Sequence, residues 1–203
     1  MILYGAPMPA PNPFRVRMFL AEKGIDLPET KVDMFKREHK SPEYRAKNSM
    51  GQIPTLELDD GTCISETVAI CRYFEETTPN PPLFGTTPVE KALVDQWVRR
   101  VEFAVMMPVG SFWRHAHPRT AALLTQYKDF GESNKETYKG AQKYLNRELE
   151  GREFLVGDSL TMADICLLST VDFAEWIGLP VEEEFTNLIA WRARMKARPS
   201  ASA

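Results

Sequence analysis

The run Gln52-Ile53-Pro54-Thr55-Leu56-Glu57-Leu58 sets the first limit on how this chain folds. Proline has no backbone N–H, so within a sheet it stands at the first residue of a strand, at an edge or at a bulge. After it, Thr55 to Leu58 alternate as a short strand, Asp59-Asp60-Gly61 reads as a hairpin turn, and Thr62 to Ile64 return. Ser65-Glu66-Thr67 then opens a helix, which the spacing of Val68, Ala69, Cys71 and Phe74 carries to about residue 77. The hairpin thus brings Glu66 and Thr67 back near Pro54. A helix N-terminus there offers unpaired N–H groups to an anion.

The flanks supply the rest of a small mixed domain. MILYG reads as a first strand, followed by the proline-rich loop APMPAPNP. Asn12-Pro13 predicts an asparagine N-cap with proline at the first helical position, and the helix runs to about Lys23, where Gly24 closes it. Glu29 to Asp33 suits a second strand, and residues 36–50 are polar and basic. The order βαβ followed by ββα, with proline heading the third strand, is that of a thioredoxin-like domain. PNPPLFGTTP then forms an exposed linker. Expected boundaries are 1–78 for the first domain, 79–88 for the linker and 89–203 for the second domain.

Beyond the linker every strong pattern is helical. Leu93, Trp97, Val101 and Val105 recur at helical spacing, with Pro108 ending or kinking that helix. A further helix is expected over 134–150, with Tyr138, Ala141, Leu145 and Leu149 on one face. Thr161-Met162-Ala163-Asp164 is an acidic capping box, Leu160 and Ile165 form its hydrophobic staple, and a last helix carries Leu188, Trp191 and Met195. The fold class expected is therefore a thioredoxin-like βαβββα domain followed by an all-helical bundle.

Composition narrows the function classes. A chain of 203 residues that is 43% hydrophobic, with a net charge of −3, has no basic stripe for nucleic acid and no apolar run of membrane-spanning length. The three cysteines, Cys63, Cys71 and Cys166, lack CxxC or zinc spacing, so reduced buried thiols are expected, with no metal. The N-terminal stretch has no basic segment ahead of an apolar one, which points to the cytoplasm.

Taken together, His39-Lys40, Gln52-Ile53-Pro54, Glu66-Thr67, the late LVGDSLTMADI and the closing RMKARPS, in this order and spacing, resemble the cytosolic glutathione transferase family over essentially the whole chain. The resemblance implies glutathione as co-substrate, a small apolar electrophile as its partner, and a homodimer. It also gives each residue a role. The Glu66 carboxylate suits the γ-glutamyl ammonium, while the Thr67 hydroxyl and the helix-start N–H groups suit the γ-glutamyl carboxylate. Ile53, ahead of a cis Pro54, presents its backbone to the cysteinyl unit as an adjoining strand does. Lys40 and His39 hold the glycyl carboxylate, and Gln52 donates to either peptide end.

The first loop departs from the family. Most members activate the thiol with a tyrosine at the end of the first strand, or with a serine or cysteine in the following loop. Here the serine or cysteine position falls on Ala10, and Tyr4 stands near the tyrosine position in a context that buries such a ring. This marks an atypical branch without the usual first-loop serine or cysteine. Lowering a thiol by about two pKa units takes about 2.7 kcal/mol, more than a helix terminus supplies, so hydrogen-bond donors are required. Pro9, Pro11 and Pro13 have no N–H, which leaves the backbone of Ala10 and Asn12 and the amide of Asn12 as local candidates, with His115 of SFWRHAHP as a second, ahead of His117. The electrophile pocket is expected between the domains, with Met8, Met106, Met107, Phe112 and Trp113 as walls. A non-catalytic glutathione- or ligand-binding protein, and a glutathione-dependent peroxidase or dehalogenase, stand as alternative functions on the same scaffold.

Overall fold

In the computed structural model, which describes residues 1–7 and 10–203, four strands form one mixed sheet in the order β2-β1-β3-β4. The central strands are β1 (Ile2–Gly5) and β3 (Thr55–Glu57), flanked by β2 (Glu29–Lys31) and β4 (Cys63–Ser65). β1 runs parallel to β2 and antiparallel to β3, and β3 is antiparallel to β4 with Thr55 opposite Ser65. A parallel pair needs a crossover, and α1 (Pro11–Lys23) provides it. Pro54 precedes the first paired residue of β3, where its missing donor costs the ladder nothing.

The start of α1 corrects the expected cap. The N-cap is Ala10, in extended backbone, and helical turns begin at Pro11, so Asn12 and Pro13 lie inside the first turn. The reason is that the first N–H groups of a helix have no partner, so two prolines in that turn forfeit nothing. Gly24 closes the helix in the left-handed conformation, as expected. Residues 36–50 contain more structure than polarity suggests: a single 3₁₀ turn at Glu38–Lys40 and then α2 (Pro42–Lys47), capped by Ser41, whose hydroxyl accepts from the Tyr44 N–H. α3 spans Thr67–Thr77 as its apolar spacing predicts.

The chain divides into two units, residues 1–83 with 199–203, and residues 84–198. The last residues thus return to the first unit, where the Ser200 hydroxyl donates to Glu22. In the first unit, Lys23 Nζ is buried, donates to the carbonyls of Thr78 and Pro81 at 2.7 Å each, and pairs with Glu75 at 2.6 Å, which ties α1 to the end of α3. All its charge-bearing bonds are satisfied by acceptors, as a buried cation requires.

The second unit is helical throughout. α4 (Pro88–Arg100) passes through one wide turn over Val101–Met106 into α5 (Met107–His115), so Pro108 falls in the first turn of a new helical segment. α6 (Lys128–Glu148) starts earlier than the expected residue 134 and packs against α5 at Gly131. A Cβ at residue 131 would lie 2.7 Å from the Cβ and N of Ala116, so only glycine admits this approach. α7 (Met162–Trp176) is buried along most of its length, and α8 (Thr186–Lys196) packs on α6 and α7. Asp164 closes the predicted capping box and also accepts from the Leu155 N–H at 2.9 Å and Trp191 Nε1 at 3.2 Å. Burial still pushes its carboxyl above the usual range, and those bonds oppose the shift.

Candidate active site

The proline turn is held from behind by a small polar network. The carbonyl of Gln52 accepts from the Tyr44 hydroxyl at 2.9 Å and from Asn48 Nδ2 at 2.8 Å. Thr55 Oγ1, on the other side of Ile53-Pro54, meets the same two groups at 3.0 and 3.1 Å. Thr55 is fully buried, so these bonds form away from water, where a lost partner is costly. The Ile53-Pro54 bond is cis. Among the described residues, no hydrogen bond engages the backbone N–H or C=O of Ile53. A peptide laid alongside finds one donor and one acceptor there.

The helix start carries a constrained residue. Glu66 is the N-cap of α3 at φ 71° and ψ 121°, a conformation that side-chain-bearing residues rarely adopt. Such a residue costs about 1–3 kcal/mol and persists where its surroundings over-determine it. Here β4 is held in register on β3 while α3 begins at once, so the turn from strand to helix falls on Glu66 alone. Its side chain is exposed, its carbonyl accepts from the Ile70 N–H at 2.9 Å, and Thr67 beside it is buried.

His39 and Lys40 stand on the 3₁₀ turn that packs against the loop at residues 50–52. Lys40 Nζ donates to the carbonyls of Met50 at 3.2 Å and Gly51 at 2.6 Å. Gly51 has φ 56°, and a Cβ there would lie 2.6 Å from the His39 carbonyl, so this approach needs glycine. His39 Nδ1 is buried without a partner; burial, then Lys40 and Arg37, push its pKa below the usual range. Lys40, His39, Gln52 and Ile53 therefore occupy one corner, and the pairing of Thr55 with Ser65 brings Glu66 and Thr67 to the same end of the sheet.

Residues 10–12 carry fewer side-chain bonds. Ala10 packs against Ala6, Val32, Tyr44 and Ile53, which places the start of α1 beside the proline turn. Among the described residues the half-buried side chain of Asn12 makes no hydrogen bond. Tyr4 is engaged elsewhere: its hydroxyl donates to Glu57 at 2.7 Å, that bond and burial raise its pKa, and Lys47 lies over its ring.

In the second unit, the aromatic residues divide between core and surface. Phe112 is buried, and Trp113 packs on Phe173, Trp176 and His117 at centroid distances of 5.4, 5.6 and 4.7 Å. Met106 is half-buried, whereas Met107 is 56% exposed; Met8 lies outside the described residues. His117 caps the 3₁₀ turn after α5 by accepting from the Arg119 N–H at 3.3 Å, and burial with Arg119 lowers its pKa. His115 sits between Tyr127 and Phe130, at 5.6 and 5.4 Å, and its Nδ1 is buried without a partner.

Comparison with known proteins bears on the fold and the family. The glutathione S-transferase N-terminal domain family matches residues 10–77 and the C-terminal domain family residues 105–199. Glutathione S-transferase 2 of Saccharomyces cerevisiae is 38% identical over 98% of this chain and 87% of its own length. The chain belongs to the glutathione S-transferase family. The crystal structure of Gtt2 from Saccharomyces cerevisiae matches with a TM-score of 0.92 at 37% identity, covering 100% of this chain and 99% of that one. A Gtt2-class glutathione S-transferase of Vibrio parahaemolyticus matches with a TM-score of 0.87 at 30% identity, covering 100% and 96%.

This glutathione transferase has the family's two-part architecture, and sequence reasoning missed some of the residues that shape its candidate site. Tyr44 and Asn48 escaped because they act through the Gln52 carbonyl, although the Ser41-Pro42 helix start was there to be read. Tyr127, Phe130 and Gly131 meet His115 only once α6 packs on α5. Among the described residues, no group of three or more His, Cys, Asp or Glu side chains is arranged to hold a metal ion, and no helix is long and apolar enough to cross a membrane.

Proposed function

We propose that this glutathione transferase grips glutathione along the proline turn and joins its sulfur to a small apolar electrophile without a first-loop hydroxyl or thiol. Glu66 pairs with the γ-glutamyl ammonium, and Thr67 with the first N–H groups of α3 receives the γ-glutamyl carboxylate. Ile53 ahead of Pro54 adds the cysteinyl unit as a short strand. Lys40 and His39 meet the glycyl carboxylate, and Gln52 donates to a peptide end. In the reaction the thiol gives up its proton, the thiolate forms a C–S bond to the electrophilic carbon, and the leaving group departs with its electron pair.

Asn12 and His115 are the proposed activating groups. Asn12 has a side-chain amide and a first-turn N–H to offer the sulfur. His115, with an unpartnered nitrogen, is assigned the orienting of a water or the uptake of the proton. Met8, Met106, Phe112 and Trp113 are the proposed electrophile contacts. A cytoplasmic homodimer acting in detoxification completes the reading.

The observation that carries this reading is Glu66, an exposed residue fixed in a costly backbone conformation at the end of the sheet that carries Ile53-Pro54. Calorimetry with glutathione tests it. Glu66→Ala is expected to weaken binding about 10- to 100-fold, the range of a charge-assisted bond. Unchanged affinity would remove Glu66 from the site and the γ-glutamyl assignment with it.

A further inference from the structure

The corner where β1 ends and α1 begins holds an arginine that the assignments above do not use. Arg17 Nη1 donates to the Ala6 carbonyl at 3.1 Å and to Glu29 Oε1 at 2.9 Å. The side chain is only 15% exposed, and its Nε and Nη2 are buried with no hydrogen-bond partner. Buried donors left unpaired are costly, and Glu29, bonding only Nη1, balances the charge of Arg17 without pairing Nε or Nη2. Gly5 belongs to the same arrangement. A Cβ on it would lie 2.0 Å from Glu29 Oε1, so glycine gives the carboxylate room to lie on β1 and reach Arg17.

Three steps connect this pair to the sulfur. Arg17 holds the carbonyl of Ala6, and Ala6 packs in one group with Ile53 and Ala10, the residues assigned to the cysteinyl unit and to the missing hydroxyl. The start of α1 is poor in donors, since Pro11 and Pro13 have none and the Phe14 N–H is spent on the Ala10 carbonyl at 3.3 Å. Other ionisable groups on the strands beside Gly5 are Tyr4 and Lys31, with Glu57 and Lys47 beyond Tyr4. Tyr4, Glu57 and Lys47 are bonded to one another.

We infer that Arg17 is a positioning residue for the sulfur: it fixes the Ala6 carbonyl at the end of β1 and contributes positive potential through space at the bound thiolate, with Glu29 setting how much of that potential is felt. This rests on the glutathione grip proposed above. Charge effects on a partly buried site are weakly screened, so each member of the pair leaves a sign.

Ultraviolet titration of the thiolate in the glutathione complex, with calorimetry on the same samples, tests it. Arg17→Gln is expected to raise the bound-thiol pKa by about one unit, and Glu29→Gln to lower it by about half a unit, with glutathione affinity changed less than about threefold. A merely structural pair would loosen the loop in both variants and move both pKa values the same way. Opposite shifts support the inference; equal-signed or absent shifts overturn it. If Arg17→Gln does not fold, Arg17→Lys and Glu29→Gln decide: a near-wild-type value for the first with a lowered value for the second supports it, and an unchanged or raised value for Glu29→Gln overturns it. Wild-type protein that binds no glutathione would take down the grip and this inference together, whereas binding without separation of the variants takes down this inference alone.

Discussion

The two stretches that meet at Ile53 are built in opposite ways. Residues 48–67 are over-determined: Tyr44, Asn48 and Thr55 fix the turn, Gly51 admits the His39 turn, and two strand pairings force Glu66 into its rare conformation. At residues 10–12 side-chain bonds are sparse: Ala10 is in apolar contact and the Asn12 side chain is unbonded among the described residues. A pre-organised grip lowers the ordering cost of a flexible tripeptide. On the proposed reading, thiol chemistry then falls to weaker and more distributed groups, so that holding glutathione and activating it become separable.

Substitutions can break that separation, and the largest effect is expected in the grip. Asn48→Ala removes a donor from both the Gln52 carbonyl and Thr55 Oγ1, and is expected to cost about 1–3 kcal/mol of stability and to weaken glutathione binding, read by denaturant unfolding and calorimetry. A loss confined to stability would show that the network serves the fold alone. Glu66→Gly sharpens the point: glycine tolerates the backbone conformation, so stability is expected to rise by about 1 kcal/mol while glutathione binding falls. In the activating loop, Asn12→Ala is expected to leave stability within about 0.5 kcal/mol and raise the bound-thiol pKa by about one unit.

His39 gives the smallest effect, and its sign can be worked out. Its folded pKa lies below the ordinary value, so folding resists its protonation, and stability is lost as pH falls through the ordinary histidine range. His39→Gln is expected to flatten the decline in unfolding midpoint between pH 7 and pH 5. A bound glycyl carboxylate favours the protonated ring, so glutathione should protect the wild type more strongly at the lower pH, and His39→Gln should lose that gain.

Much of the backbone around the candidate site was legible because its residues obey local rules. Pro54 had to head a strand, Asp59-Asp60-Gly61 had to turn, and the hairpin had to return Glu66 toward the proline. Legibility failed where function depends on partners far apart in sequence. Nothing local to Arg17 announces Glu29, and nothing in LYG shows that Gly5 makes room for a carboxylate from the next strand. The cap of α1 was misplaced for a different reason: Asn12-Pro13 is a sound cap signal, but Ala10-Pro11 offers the same proline advantage two residues earlier and takes it.

The central claim is the proposal that this chain activates glutathione without a first-loop hydroxyl or thiol. Ultraviolet titration of the thiolate in the wild-type glutathione complex tests it most directly. The account predicts a bound-thiol pKa about two units below the free value of about 8.5. A value equal to that of free glutathione, in protein that binds glutathione normally, would contradict it.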